Sequence, residues 1–226
     1  MDAVLYRRAF GGFLALIVIL AALLFIPAGT LRYWQAWVFL AVFSAWVLAI
    51  TVYLMRKDPK LLERRINAGP AAEQEPSQKI IQALASLSFI AIFIVSALDH
   101  RFGWSAVPLY AIALGDLLVA LGFYFVFLVL RENTYAAGTI EVEPGQDVIS
   151  TGPYALVRHP MYGGALIMLL GIPLALGSWW GLFTIIPMVI VLVWRIIDEE
   201  VFLVKNLPGY AEYRDRVRHR LVPLIW

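Results

Sequence analysis

The sequence predicts an all-α integral membrane protein, a multi-span helical bundle of four spans followed by a C-terminal helical hairpin. Three observations carry that reading. Hydrophobic residues make up 62% of the 226, and the mean hydropathy is +0.79, against about 45–50% apolar residues in a soluble domain. The apolar residues are gathered into runs of the roughly 20 needed to cross the hydrocarbon core. The cations are sorted as well: with both termini in the cytoplasm, 16 of the 18 lysines and arginines fall on that side, leaving Arg32 and Arg101 outside. The positive-inside rule then sets the orientation, multi-pass with cytoplasmic termini. The net charge of +2 adds little, and with no cysteine there is no disulfide framework, thiolate nucleophile or C-x-x-C metal site.

Taken in order, the spans are Phe10–Ala28, Trp34–Met55, Ile80–Leu98 and Ala106–Leu130. Arg7 and Arg8 before the first apolar run resemble a signal-peptide n-region. The run is too long for a usual h-region and lacks a clear A-x-A site, so it is expected to be a retained span. A fifth apolar stretch, Met161–Ile197, is broken at "GSWWG" (177–181), which predicts a hairpin of two short helices, each interrupted by a proline, Pro173 and Pro187. Three polar stretches remain, 56–79, 131–160 and 198–226, all on the cytoplasmic side. The first predicts a short amphipathic helix and a linker.

The second stretch ends in "STGPYALVRHPMYGG". Pro153 can start a short helix near Tyr154–Val157, while Pro160 disfavours helix at His159 and suits the first position of the next one. Arg158 and His159 therefore sit in a bend at a helix N-terminus, where free N–H groups favour an anion. Gly163 and Gly164 permit close approach to the backbone. Past the hairpin comes "WRIIDEEVFLVKNLPGYAEYRDRVRHRLVPLIW". Arg195 and Glu199, four apart, share a helical face, and Glu200 is turned about 100° away. Three consecutive acids require an answering cation, and Arg195 is placed to hold one carboxylate and leave another for a ligand. Tyr210, Tyr213, Arg214, Arg216 and Val217 predict a short amphipathic cap. Asp116 stands inside a span, where an acid is expensive and marks a functional position by default.

"RHPMY", an apolar hairpin, then "EE" with Tyr-x-x-Tyr-Arg behind it resembles the isoprenylcysteine carboxyl methyltransferase family over about residues 125–226. The resemblance implies a cytoplasmic cofactor-binding cap for S-adenosylmethionine, built from Tyr154, His159, Pro160, Tyr162, Gly163, Glu199 and Glu200. It implies that Arg158 and Arg195 orient a substrate carboxylate. It divides the chain into N-terminal transmembrane helices with the 56–79 loop (1–105) and a methyltransferase core (106–226). The function expected is methyl transfer to a lipophilic acceptor, foremost a carboxylate, with membrane lipid around it and no metal or nucleic-acid partner. Within this expectation Glu200 is the donor contact and Glu199 is the carboxylate held by Arg195. Phospholipid N-methyltransferases and NADPH-dependent sterol reductases carry similar C-terminal halves, so N-methylation and reduction of a lipid double bond stay open. A small transporter or scaffold is the non-enzyme alternative.

Overall fold

Leucine, valine, isoleucine and alanine in unbroken runs leave each backbone N–H no partner in lipid but the carbonyl four residues back, so these runs coil. The computed structural model describes residues 3–226. Its long helices are α1 (Ala3–Ala28), α2 (Trp34–Lys57), α4 (Pro76–Phe102) and α5 (Leu109–Glu132), with the short α3 (Pro59–Ile66) after α2. The hairpin follows as α6 (Pro160–Ala175), a single turn α7 (Trp180–Phe183) and α8 (Ile185–Asn206), and α9 (Tyr210–Arg216) closes the cap. Among the described residues five helices are long and apolar enough to cross a membrane, α7 and α8 counting as one.

The hairpin departs from expectation in one limb. Pro187 has no N–H for the Phe183 carbonyl four residues back, and the span breaks there, between α7 and α8 at Thr184, so this proline interrupts the limb as expected. The helix α8 nevertheless runs 22 residues, and the second limb is long rather than short. Pro173 lies near the end of α6, after which Gly177 (φ +71°) reverses the chain. There the Gly177 N–H donates to the Leu174 carbonyl (2.9 Å) and the Ser178 N–H to the Pro173 carbonyl (2.8 Å), satisfying the last carbonyls of the helix.

The 16 residues of α6 extend only about 24 Å, yet the hairpin reaches the end of the bundle opposite its own start. Its turn meets the α4–α5 turn, where the buried Asp99 carboxylate accepts from Ser105 N–H (2.7 Å), Ser105 Oγ (2.6 Å) and Ser178 Oγ (2.5 Å). The buried Tyr33, in the α1–α2 turn, donates from its hydroxyl to the Leu176 carbonyl (2.7 Å). Asp99, more than the half-buried Asp116, is therefore the acid this end is built around. One oxygen of Asp116 is buried with no partner among the described residues.

Helix α6 is held against α5 by absent side chains. A Cβ on Gly115 would stand 2.1 Å from the Ala175 amide nitrogen, one on Gly122 2.7 Å from the Gly164 carbonyl oxygen, and one on Gly171 2.7 Å from the Gly115 carbonyl oxygen. Small residues every seven positions on two antiparallel helices bring the backbones into direct contact, which is how helices associate where lipid offers no hydrophobic incentive. Gly164, expected to admit a ligand, thus admits α5. The glycine seam predicts that Gly171→Ala costs about 1–3 kcal/mol through overpacking. Gly11→Ala, where a Cβ meets nothing within 4 Å, is expected to be neutral or mildly stabilising. Thermal unfolding in detergent reads both.

Candidate active site

At the end of the bundle opposite Asp99, α2, α5 and α8 finish and α4 and α6 begin, so the 56–79, 131–160 and 198–226 stretches converge. Pro160 opens α6 with His159 as the preceding cap residue. A 3₁₀ turn at Gly152–Ala155 brings Tyr154 beside them.

Successive residues on a helix point about 100° apart, and α8 uses this to separate three adjacent acids. Asp198 Oδ2 accepts from Ser77 Oγ (2.9 Å) and Gln78 Nε2 (2.5 Å) in the first turn of α4. Glu199 Oε2 accepts from the Tyr162 hydroxyl (2.6 Å). Glu200 is 5% exposed and is enclosed by cations. Its Oε1 accepts from Arg158 Nε (2.6 Å) and stands 3.3 Å from His159 Nε2, and its Oε2 accepts from Arg220 Nε (2.9 Å). Repulsion among the three is relieved by three separate sets of partners.

The cation assignments differ from those expected. Arg195 pairs with Glu73 (Nη1 to Oε1, 3.0 Å), and also donates to Gln78 Oε1 (2.8 Å) and, from Nε, to the Tyr162 hydroxyl (2.9 Å). No Arg195–Glu199 ion pair forms among the described residues. Glu73, 3% exposed, also accepts from Gln82 Nε2 (3.0 Å) and the Ile140 N–H (3.2 Å), so the 67–75 linker is tied into the site rather than loose. Arg158 is likewise occupied, its Nη1 donating to the Val217 carbonyl (2.7 Å). The N–H groups of Arg158 and His159, expected to be free for an anion, donate to the carbonyls of His219 (3.0 Å) and Arg220 (2.8 Å). The tail after α9 thus straps the bend.

These elements line a pocket at this end of the bundle. Tyr154, Arg158, His159, Pro160, Tyr162, Arg195 and Glu199 line it; Gly163 and Glu200 do not. Gly163 faces Leu221 of the tail. No hydrogen bond to Glu199 Oε1 forms among the described residues, leaving that oxygen for a ligand. Sequence reasoning missed the wall formed by Asn133, Tyr135, Gln146 and Asp147, in a stretch without regular structure or motif. Asn133 Nδ2 donates to the Tyr154 hydroxyl (2.8 Å). Burial pushes the Tyr154 phenol up to about 12, with the Asn133 bond opposing and the Glu199 charge adding. Burial also raises Tyr210 and Tyr213, so all three phenols are neutral donors at physiological pH. Tyr213 donates to the Tyr154 carbonyl (2.8 Å), whereas the buried Tyr210 hydroxyl has no partner among the described residues and its residue lines the pocket.

A helical membrane protein with a charged, tyrosine-lined pocket at one end of its bundle is the class that fold and site define. Residues 110–208 match the model of the phospholipid methyltransferase family. The match runs from the start of α5 to the turn after α8 and includes every pocket residue except Tyr210 and Tyr213. It agrees with the resemblance to membrane methyltransferases and does not single out the isoprenylcysteine carboxyl methyltransferases among them. No curated protein matches the chain.

With Glu200 held between the guanidinium groups of Arg158 and Arg220, Glu200→Gln leaves buried charge uncompensated and is expected to cost about 3 kcal/mol of stability. Thermal unfolding and limited proteolysis of the tail after Val217 report the loss together.

Proposed function

We propose that the protein is an S-adenosylmethionine-dependent methyltransferase that modifies a lipophilic acceptor at the cytoplasmic face of the membrane. The observation that carries the reading is the pocket in which Glu199 keeps an unbonded carboxylate oxygen beside a buried, unpartnered Tyr210 hydroxyl. The methyl donor is a zwitterion with an aromatic base, and the residues present suit it. Glu199 answers its ammonium, His159 its carboxylate, and Tyr154 and Tyr135 its adenine. When bound, it supplies a methyl group on a sulfonium, which passes by in-line displacement as the acceptor's lone pair bonds to carbon and the carbon–sulfur electrons return to sulfur.

The chain's own contribution is positioning. Tyr162, gripped between Glu199 and Arg195, fixes the carboxylate that holds the donor, and Glu73 with Gln78 fixes Arg195 in turn. Orientation of this kind is worth about 7–11 kcal/mol when two reactants are fully aligned. A carboxylate acceptor needs no base. An amine acceptor must release a proton, and Glu199, at the pocket surface, is better placed to take it than Glu200, which is surrounded by cations. The acids in the pocket wall, Glu199, Glu141 and Asp147, favour a cationic ligand over the 2′-phosphate of a reduced dinucleotide. Both arginines singled out from the sequence have internal anionic partners, so their role here is to hold the acidic residues in register.

Calorimetric titration with S-adenosylhomocysteine is expected to show binding, and titration with NADPH none. Glu199→Gln is expected to weaken S-adenosylhomocysteine roughly 10- to 150-fold by removing a charge-assisted bond. Tyr210→Phe is expected to weaken it about 2- to 10-fold while leaving thermal stability unchanged, since the hydroxyl has no internal bond to lose. NADPH binding without S-adenosylhomocysteine binding overturns the reading in favour of a reductase.

A further inference from the structure

On its inner side the strap over the Arg158–His159 bend offers the carbonyls of Val217, His219 and Arg220. They are met by Arg158 Nη1 (2.7 Å) and by the N–H groups of Arg158 (3.0 Å) and His159 (2.8 Å), while the Arg220 side chain reaches Glu200. Its outer side is different. Arg216 and Arg218 are exposed and, among the described residues, have no carboxylate within salt-bridge distance. Arg214 has its exposed neighbour Asp215 (3.8 Å), a pair worth little in water. The stretch turns its backbone to the pocket wall and positive charge away from it.

Beyond Arg220 the chain folds back on itself. The N–H groups of Leu221 and Val222 donate to the Trp226 carbonyl (2.9 and 3.0 Å), and Leu224, at φ +67°, is the one non-glycine residue with positive φ among the described residues. A leucine in left-handed backbone is costly; the turn it makes leaves Leu224 and Ile225 at the tip, 90% and 81% exposed. Leu221 and Trp226, on the inner side of the same turn, pack against the main apolar cluster of the spans. Arginines alone mark no more than a membrane's edge. An apolar tip that continues from the spanning cluster into exposed leucine and isoleucine, with unpaired arginines just before it, has the two parts of an interfacial lipid anchor.

We propose that this tail docks on the anionic headgroups of the leaflet at the pocket end of the bundle: Arg216 and Arg218 hold the headgroups, Leu224 and Ile225 enter the edge of the hydrocarbon, and leaflet charge thereby fastens the strap over the Arg158–His159 bend. Charge complementarity selects an anionic over a zwitterionic surface. The lipid stabilises the strapped form because it meets the arginines and the tip together only when the turn is in place. Arg158 and His159 line the pocket, so the composition of the leaflet sets how firmly that wall is closed, whatever the pocket holds.

The test places the full chain in phosphatidylcholine nanodiscs with and without about a third phosphatidylserine and follows backbone hydrogen exchange at Arg158 and His159, whose amides are freed when the strap lifts. Phosphatidylserine is expected to slow both amides roughly 5-fold if one arginine engages and roughly 30-fold if both do, and high salt to remove most of the slowing. Arg216→Gln with Arg218→Gln is expected to return exchange to its rate in phosphatidylcholine. The same double variant separates headgroup binding from the lower pH at an anionic surface, which slows every interfacial amide alike. Leu224→Gly with Ile225→Ser keeps the turn, since glycine accepts a positive φ, and is expected to weaken the slowing while thermal stability in detergent stays at or above the parent value. Four results overturn the proposal: no slowing with phosphatidylserine, slowing that survives loss of both arginines, slowing undiminished without the Leu224–Ile225 tip, or slowing reproduced in phosphatidylcholine discs by soluble glycerophosphoserine, which would mark a free-anion site rather than a membrane contact.

Discussion

Three carboxylates on consecutive residues of a helix at a membrane's edge cannot share one environment, and the site is organised around keeping Asp198, Glu199 and Glu200 apart. Each 100° step along α8 delivers a carboxylate to a different part of the chain: the start of α4, the Tyr162 hydroxyl, and the Arg158–His159–Arg220 cluster. Three remote segments are drawn to one helix end as a result. Charge separation works here beside apolar packing, which is centred on Leu207, Tyr210 and Tyr213 in the cap and on Leu54, Leu61, Leu62 and Leu130 next to it.

That arrangement holds only if α6 and α8 have fixed heights. The glycine seam supplies it for α6, because backbones in contact at Gly115–Gly171 and Gly122–Gly164 cannot slide without driving a side chain into a main-chain atom. Tyr162, two residues into α6, therefore arrives opposite Glu199 at hydrogen-bond distance. A small change of register would leave Glu199 and Arg195 facing one another without the phenol between them.

The sequence was most legible where the physics is local. Hydropathy found the first four spans, and α1 begins at Ala3 rather than Phe10 because helix continues past the hydrocarbon boundary through Arg7 and Arg8. Pro160 and Pro153 marked their helix starts, and seven of the nine site residues named from the sequence line the pocket. Partner choice was illegible. Spacing of four made Arg195 and Glu199 a natural pair, but Glu73 reaches Arg195 from 122 residues away and displaces it. The bend at Arg158–His159 looked open to an anion because nothing nearby in sequence announces that His219 and Arg220 will take its amides. Glu200, being ringed by cations, is the structural carboxylate, and Glu199 is the accessible one.

The two ends of the bundle are fastened independently. At the far end Asp99 and Tyr33 tie the α1–α2, α4–α5 and hairpin turns together through buried bonds, and none of these residues lines the pocket. At the near end Leu5, Leu54, Leu61, Leu62 and Leu130 form a buried cluster that joins α1, α2, α3 and α5, and the tail bonds the backbone of the Arg158–His159 bend. The pocket therefore lies at one separately anchored end of the molecule, and its walls can loosen locally while the opposite turns keep their own bonds.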